Sequence, residues 1–189
     1  MKQKIYFAHP VNVFDAPLER MIRTFIEHVL PEFEVEDPNQ PHHQKGYADW
    51  KKRLEGNPGK QGGMSYYYDE VLPRLHACVS MPFLDGKFGL GVAGEAKFFI
   101  EKKQPSFLIV PRAPCTWSDI SIREMTDEEK RLLCAEDASL VLSIEETRAR
   151  TWTSPEKYGK EKRPYLTAHL LDFKRAEWTS EHLNSLKTK

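Results

Sequence analysis

Short apolar runs that alternate with helical periodicity constrain this chain more than any other feature. Lys4–Ala8 is a brief run of strand-forming residues that stops at His9-Pro10, because proline removes a ladder donor. Leu18, Met21, Ile22, Phe25, Ile26, Val29 and Leu30 then recur at helical spacing and define one apolar face. Asp15 is the candidate N-cap, Pro17 lies in the first turn, and Pro31 ends the helix. Phe33–Glu36 reads as a weaker strand. The stretch 37–63 reads as a long excursion with a short helix near Tyr47–Leu54.

The pattern then repeats. Met64–His76 predicts a helix kinked by Pro73, Cys78–Phe83 a strand, Asp85–Gly94 a glycine-bearing loop, Glu95–Lys102 a helix, and Ser106–Val110 a strand closed by Pro111. Thr126-Asp-Glu-Glu129 is a capping-box signature for a helix to about Cys134. Ser139–Leu142 offers a further strand. This β-α-β order implies a Rossmann-like or flavodoxin-like three-layer α/β fold, with a mostly parallel sheet flanked by helices. The expected division is one domain over residues 1–143 and a C-terminal extension over 144–189, packed on the core or on a neighbouring subunit.

Composition narrows the function. The 189 residues carry 28 basic and 28 acidic side chains, so the basic excess that grips nucleic acid is missing. Three widely spaced cysteines, Cys78, Cys115 and Cys134, form no CxxC pair and fit reduced thiols in a cytoplasmic protein. No apolar stretch has bilayer-spanning length, so no membrane partner is expected.

Ligands of parallel α/β sheets bind at the carboxyl ends of the strands. The rule gathers Tyr6–Pro10, the neighbourhood of Asp69, and the segment Met81–Glu95. In that segment Gly86, Gly89, Gly91 and Gly94 allow sharp turns and close approach of a ligand to the backbone. A helix opening at Glu95 would set its carboxylate at the rim of the crevice and its amides toward an anion. The segment is neither a P-loop nor a dinucleotide fingerprint. By itself it supports equally a ligand-facing site and a plain strand-to-helix turn.

Four pieces in order carry a family resemblance: Lys4-Ile-Tyr-Phe-Ala8; Tyr66-Tyr-Tyr-Asp69; Phe88-Gly-Leu-Gly91 with Glu95; and Gln104-Pro-Ser-Phe-Leu-Ile-Val110. Together they resemble the nucleoside 2-deoxyribosyltransferases and the related nucleotide N-glycosidases, over roughly the first 110 residues. The resemblance implies a glutamate that attacks the anomeric carbon of a deoxyribosyl group, with transfer to another base or to water. It implies Glu95 as nucleophile, Tyr6 as the group that positions it, Asp69 as the partner of the departing base, and Asp85 as a substrate-orienting residue. In the transferase pattern the glutamate follows the Gly-Leu-Gly more closely, whereas here Val92-Ala93-Gly94 intervene. Asp85 also stands further from the glycine run.

His9 is either a phosphate- or sugar-binding group or a solvated loop histidine. Gly89, Gly91 and Gly94 complete the expected substrate-binding set. His42-His43 has no carboxylate or cysteine at matching ligand spacing and reads as part of a solvated loop, so neither metal nor cofactor is expected. Lys87 faces a phosphate or solvent, and Trp152 and Tyr165 anchor the tail or meet a neighbouring subunit. The expected partner is a small-molecule nucleoside or nucleotide, handled by a homo-oligomer. Two alternatives stand beside transfer: hydrolysis of a nucleoside 5′-monophosphate, and a nucleotide-sensing module without turnover.

Overall fold

In the computed structural model, residues 2–14, 17–54, 64–83, 85–111 and 120–151 are described. Among them the sheet has five strands: β1 (Gln3–Ala8), β2 (Phe33–Glu36), β3 (Ala77–Ser80), β4 (Ser106–Pro111) and β5 (Ile120–Glu124). Their order is β2-β1-β3-β4-β5. The first four are parallel and β5 runs antiparallel to β4. The mostly parallel α/β sheet expected from the sequence is what the chain forms.

The helices follow from that order. α1 (Pro17–Val29) carries the chain from β1 to β2, and α4 (Leu90–Glu101) carries it from β3 to β4. These crossovers run in opposite directions along the sheet, so a common handedness places their helices on opposite faces. On one face Leu18, Ile22, Phe25 and Ile26 of α1 bury against Ile5, Phe7, Val35, Val79 and Ile109. The apolar stripe expected between Leu18 and Leu30 is the face that packs. On the other face Tyr6, Ala8, Cys78 and Leu108 meet Trp50, Tyr66, Tyr67, Val92, Ala96 and Phe99. Alternate residues of β1 thus serve the two cores, as strand geometry requires.

Several elements depart from expectation for identifiable reasons. The helix in the long excursion, α2 (Pro41–Leu54), starts at Pro41 rather than near Tyr47, since proline is well suited to a first helical position. The expected Met64–His76 helix is broken into three pieces: a single turn α3 (Met64–Tyr66), a wider π-turn over Tyr67–Val71, and a 3-10 turn over Leu72–Arg74. Pro73 cannot supply a backbone donor, which accounts for the tightening at that end. β3 stops at Ser80. Met81 adds one bond to the Ala8 carbonyl at 2.8 Å before Pro82 ends the pairing.

α5 (Asp127–Cys134) opens with the full capping box: the Thr126 hydroxyl accepts from the Glu129 amide at 3.2 Å, and Glu129 accepts from the Thr126 amide at 2.8 Å. Ser139–Leu142 makes only one bridge, Phe88 to Val141, because Asp137 folds Ser139 into a turn beside it. α6 (Ile144–Thr151) begins the expected extension, where the hydroxyl of Thr147 accepts from the Leu90 amide at 3.2 Å. Asp15, Cys115, Trp152 and Tyr165 lie outside the described residues. No helix among the described residues is long and apolar enough to cross a membrane.

Candidate active site

β1 and β3 are neighbours at the point where the strand order reverses, and Tyr6 stands two residues before the end of β1. Its side chain turns to the α4 face. There the Tyr6 hydroxyl donates to Oε1 of Glu95 at 2.8 Å. Both groups are buried; Tyr6 is fully enclosed and Glu95 is 6% exposed.

The helix that carries Glu95 begins earlier than the glycine pattern predicts. α4 starts at Leu90 with Gly89 as its N-cap, so Gly91 and Gly94 are helical and Glu95 sits in the second turn. Packing overrides the weak helix propensity of glycine here. Val92, Ala93, Ala96 and Phe99 bury in the core, and an added Cβ at Gly94 would overlap the Tyr68 hydroxyl. The consequence is functional. Glu95 does not stand at the helix N-terminus over a loop; it projects from the helix into the core at Tyr6.

Burial pushes the Glu95 carboxyl up to about 8, and the hydrogen bond from Tyr6 only partly offsets this. Burial, with the Glu95 charge next, holds the Tyr6 hydroxyl well above its ordinary range. Burial followed by the Glu95 charge also raises Tyr67 and Tyr68. Cys78, the ladder partner of Tyr6 on β3, is pushed up to about 12, chiefly by burial. At neutral pH Glu95 is therefore mainly a protonated acid in a low-dielectric, tyrosine-lined environment.

The other expected residues are distributed differently. Asp69 lies on the π-turn but is exposed, while the adjacent Tyr67 is buried and Tyr68 half-buried. Asp85 is exposed and pairs with Arg150 of α6 at 2.8 Å, and its carboxylate also accepts from the Lys87 amide at 3.2 Å. Lys87 itself donates to the Ala138 carbonyl at 3.2 Å. Gly89 has Thr147 and Phe83 at 3.4–3.5 Å from a notional Cβ, whereas Gly91 meets only the Met64 methyl, at 4.0 Å. The structure thus joins Tyr6 and Glu95, sets Gly91 and Gly94 on the same helix, and leaves Asp69 and Asp85 in solvent-facing positions.

His9 is not a solvated loop residue. Its ring is buried, with Nε2 at 3.2 Å from Asp37 and 3.6 Å from Glu19, and Nδ1 at 3.2 Å from the Pro10 carbonyl. Asn39 closes this cluster by donating to Asp37 from its amide at 2.8 Å and to Glu19 from its side chain at 3.2 Å. The three ionisable residues tie the end of β1 to α1 and to the end of β2. They also lie close enough together to share a cation.

The reading of His42-His43 as solvated loop is overturned as well. Both residues belong to the first turn of α2, and both place Nε2 at 2.8 Å from Oε1 of Glu36. Glu36 is the last residue of β2 and the ladder partner of Tyr6. Its other oxygen accepts from Lys4 at 2.7 Å, and Nδ1 of His43 lies 3.2 Å from the Tyr66 hydroxyl. The hydrogen bond from His43 leads the effects that hold the Glu36 carboxyl down at about 2, with Lys4 and His42 adding to it. The carboxylate looked for at a ligand spacing was six residues upstream, at a strand end, where only the turn after β2 brings it back to the helix. No protein-family model, no curated protein and no solved structure matches this chain.

Proposed function

We propose that this chain cleaves or exchanges the N-glycosidic bond of a deoxynucleoside or nucleoside, with Glu95 as the nucleophile. One observation carries the reading: a buried carboxyl, held by a tyrosine hydroxyl, at the strand-order reversal where α/β sheets take ligands. The sequence resemblance points to the same two residues.

In the proposed reaction the ionised Glu95 attacks the anomeric carbon. The bond to the base nitrogen breaks, the electron pair leaves with the base, and the base takes a proton from solvent water. A second base, or water, then attacks the same carbon and restores the free carboxylate. Burial favours such chemistry because a cationic, oxocarbenium-like centre is stabilised by a nearby anion more strongly away from water. Tyr6 fixes which carboxylate oxygen faces the sugar.

A second reading, hydrolysis of a nucleoside 5′-monophosphate, draws on the start of α4. Leu90 gives its amide to Thr147, while the amides of Gly91 and Val92 are the remaining first-turn donors.

The test is incubation with deoxynucleosides and with their monophosphates, each with and without a second free base, followed by chromatography of released or exchanged base. Loss of turnover by roughly a thousandfold or more in Glu95→Gln is expected. Below about pH 8 the rate should rise about tenfold per pH unit as Glu95 ionises. Unchanged turnover in Glu95→Gln sinks the nucleophile assignment. Tight binding across the panel without turnover supports a sensing module instead.

A further inference from the structure

We propose that Glu36, His42 and His43 form a binding site for a divalent transition-metal ion of the zinc class. Three donor atoms, Oε1 of Glu36 and the two imidazole Nε2 atoms, lie within 4.8 Å of one another, and both Nε2 atoms are 2.8 Å from Oε1. Two neutral nitrogens and one carboxylate oxygen suit Zn²⁺, Co²⁺ or Ni²⁺ and suit Mg²⁺ or Ca²⁺ poorly.

Supporting groups surround each donor. Lys4 occupies the second oxygen of Glu36, which fixes the carboxylate plane and leaves Oε1 directed at the two rings. Tyr66 lies at the far nitrogen of His43, and a ring nitrogen protonated there can donate to the hydroxyl while Nε2 faces the ion. The side-chain amide of Gln40 reaches Oε1 of Glu36 at 3.1 Å. With its nitrogen inward it donates to the carboxylate; turned over, it offers a carbonyl oxygen as a fourth ligand.

The spacing suits entry of an ion. Donors around a tetrahedral zinc at about 2.0–2.1 Å are separated by roughly 3.3 Å. The present 2.8 Å contacts therefore need to open by about half an ångström. His42, whose side chain is 62% exposed, supplies the route from solvent, while Glu36 and His43 provide the buried wall.

The test is titration of the full, untagged chain, stripped with a chelator, with ZnCl₂ against a chromophoric indicator. One equivalent should bind, unaffected by excess Mg²⁺, and Zn²⁺ should raise the melting temperature. His42→Ala, at an exposed position, should weaken binding by about tenfold or more while the metal-free chain stays folded, as its own melt shows. His43→Gln should weaken it further. Co²⁺ should give visible bands without the intense near-ultraviolet absorption of thiolate ligation. Any one of three results overturns the site: no saturable binding up to roughly 100 µM Zn²⁺; affinity in both histidine variants equal to that of the unmutated chain; or a thiolate spectrum.

Discussion

Glu95 and Glu36 are both 6% exposed and both serve the same face of the sheet, Glu36 on the strand next to Tyr6 and Glu95 hydrogen-bonded to Tyr6 itself. Their carboxyls nevertheless move in opposite directions, Glu95 up to about 8 and Glu36 down to about 2. Burial raises both carboxyls and is the leading cause at Glu95; at Glu36 the partners outweigh it. Glu95 accepts from one neutral hydroxyl, whereas Glu36 faces an ammonium group and two imidazoles. One site is built to hold a proton until something displaces it, and the other is built to stay an anion.

pH-dependent stability breaks the comparison most sharply. The raised pKa of Glu95 contributes stability that is fully present below 4.5 and is lost as pH rises through about 8. The lowered pKa of Glu36 contributes stability that is present above 4.5 and is lost as pH falls through about 2. Urea denaturation from pH 4 to 9 should therefore show a Glu95-dependent decline of a few kcal/mol. Glu95→Gln should flatten it. A decline that persists in that variant refutes the assignment.

Glu36→Gln should cost about 1–3 kcal/mol at pH 7, the range for disturbing charged hydrogen bonds when the partners can still reach water. Lys4 and His42 are exposed enough to do so. In the same denaturation assay Glu95→Gln should raise stability at pH 7, since it removes the cost of protonating on folding an acid that is ionised in the unfolded chain. A loss of stability at pH 7 would mean that Glu95 is ionised in the folded protein.

The glycines of α4 give the smallest contrast. Gly94→Ala should destabilise by about 1–3 kcal/mol, because the new methyl group overlaps the Tyr68 hydroxyl. Gly91→Ala should raise stability by about 0.5–1 kcal/mol through helix propensity, since the nearest obstacle is the Met64 methyl at 4.0 Å. Thermal melts of the two variants check the pair.

The parts legible in the sequence are those set by local chemistry. The stripe from Leu18 to Leu30, the proline stops after Ala8 and Leu30, and the Thr126–Glu129 box each encode their own element. Tyr6 and Glu95 were legible only together with the family pattern, although they meet across 89 residues. The three residues between Gly91 and Glu95 lie on α4, which starts at Leu90, and Glu95 projects inward from it. β5 was missed because Ile120–Glu124 alternates weakly and gains its identity from the edge of β4. The Glu36 cluster was missed because its members come from β1, β2 and α2, and nothing along the chain announces that these ends converge.

The widened turn at Tyr67–Val71 has an evolutionary corollary. A π-turn accommodates one residue more than an α-helical turn, so it behaves as a single-residue insertion. Deleting one residue there turns the flanking positions by about 100° relative to one another. That shift changes which of Tyr66, Tyr67 and Tyr68 faces the buried side and where Asp69 points. A one-residue deletion can thus re-aim this stretch with no substitution at Tyr6 or Glu95.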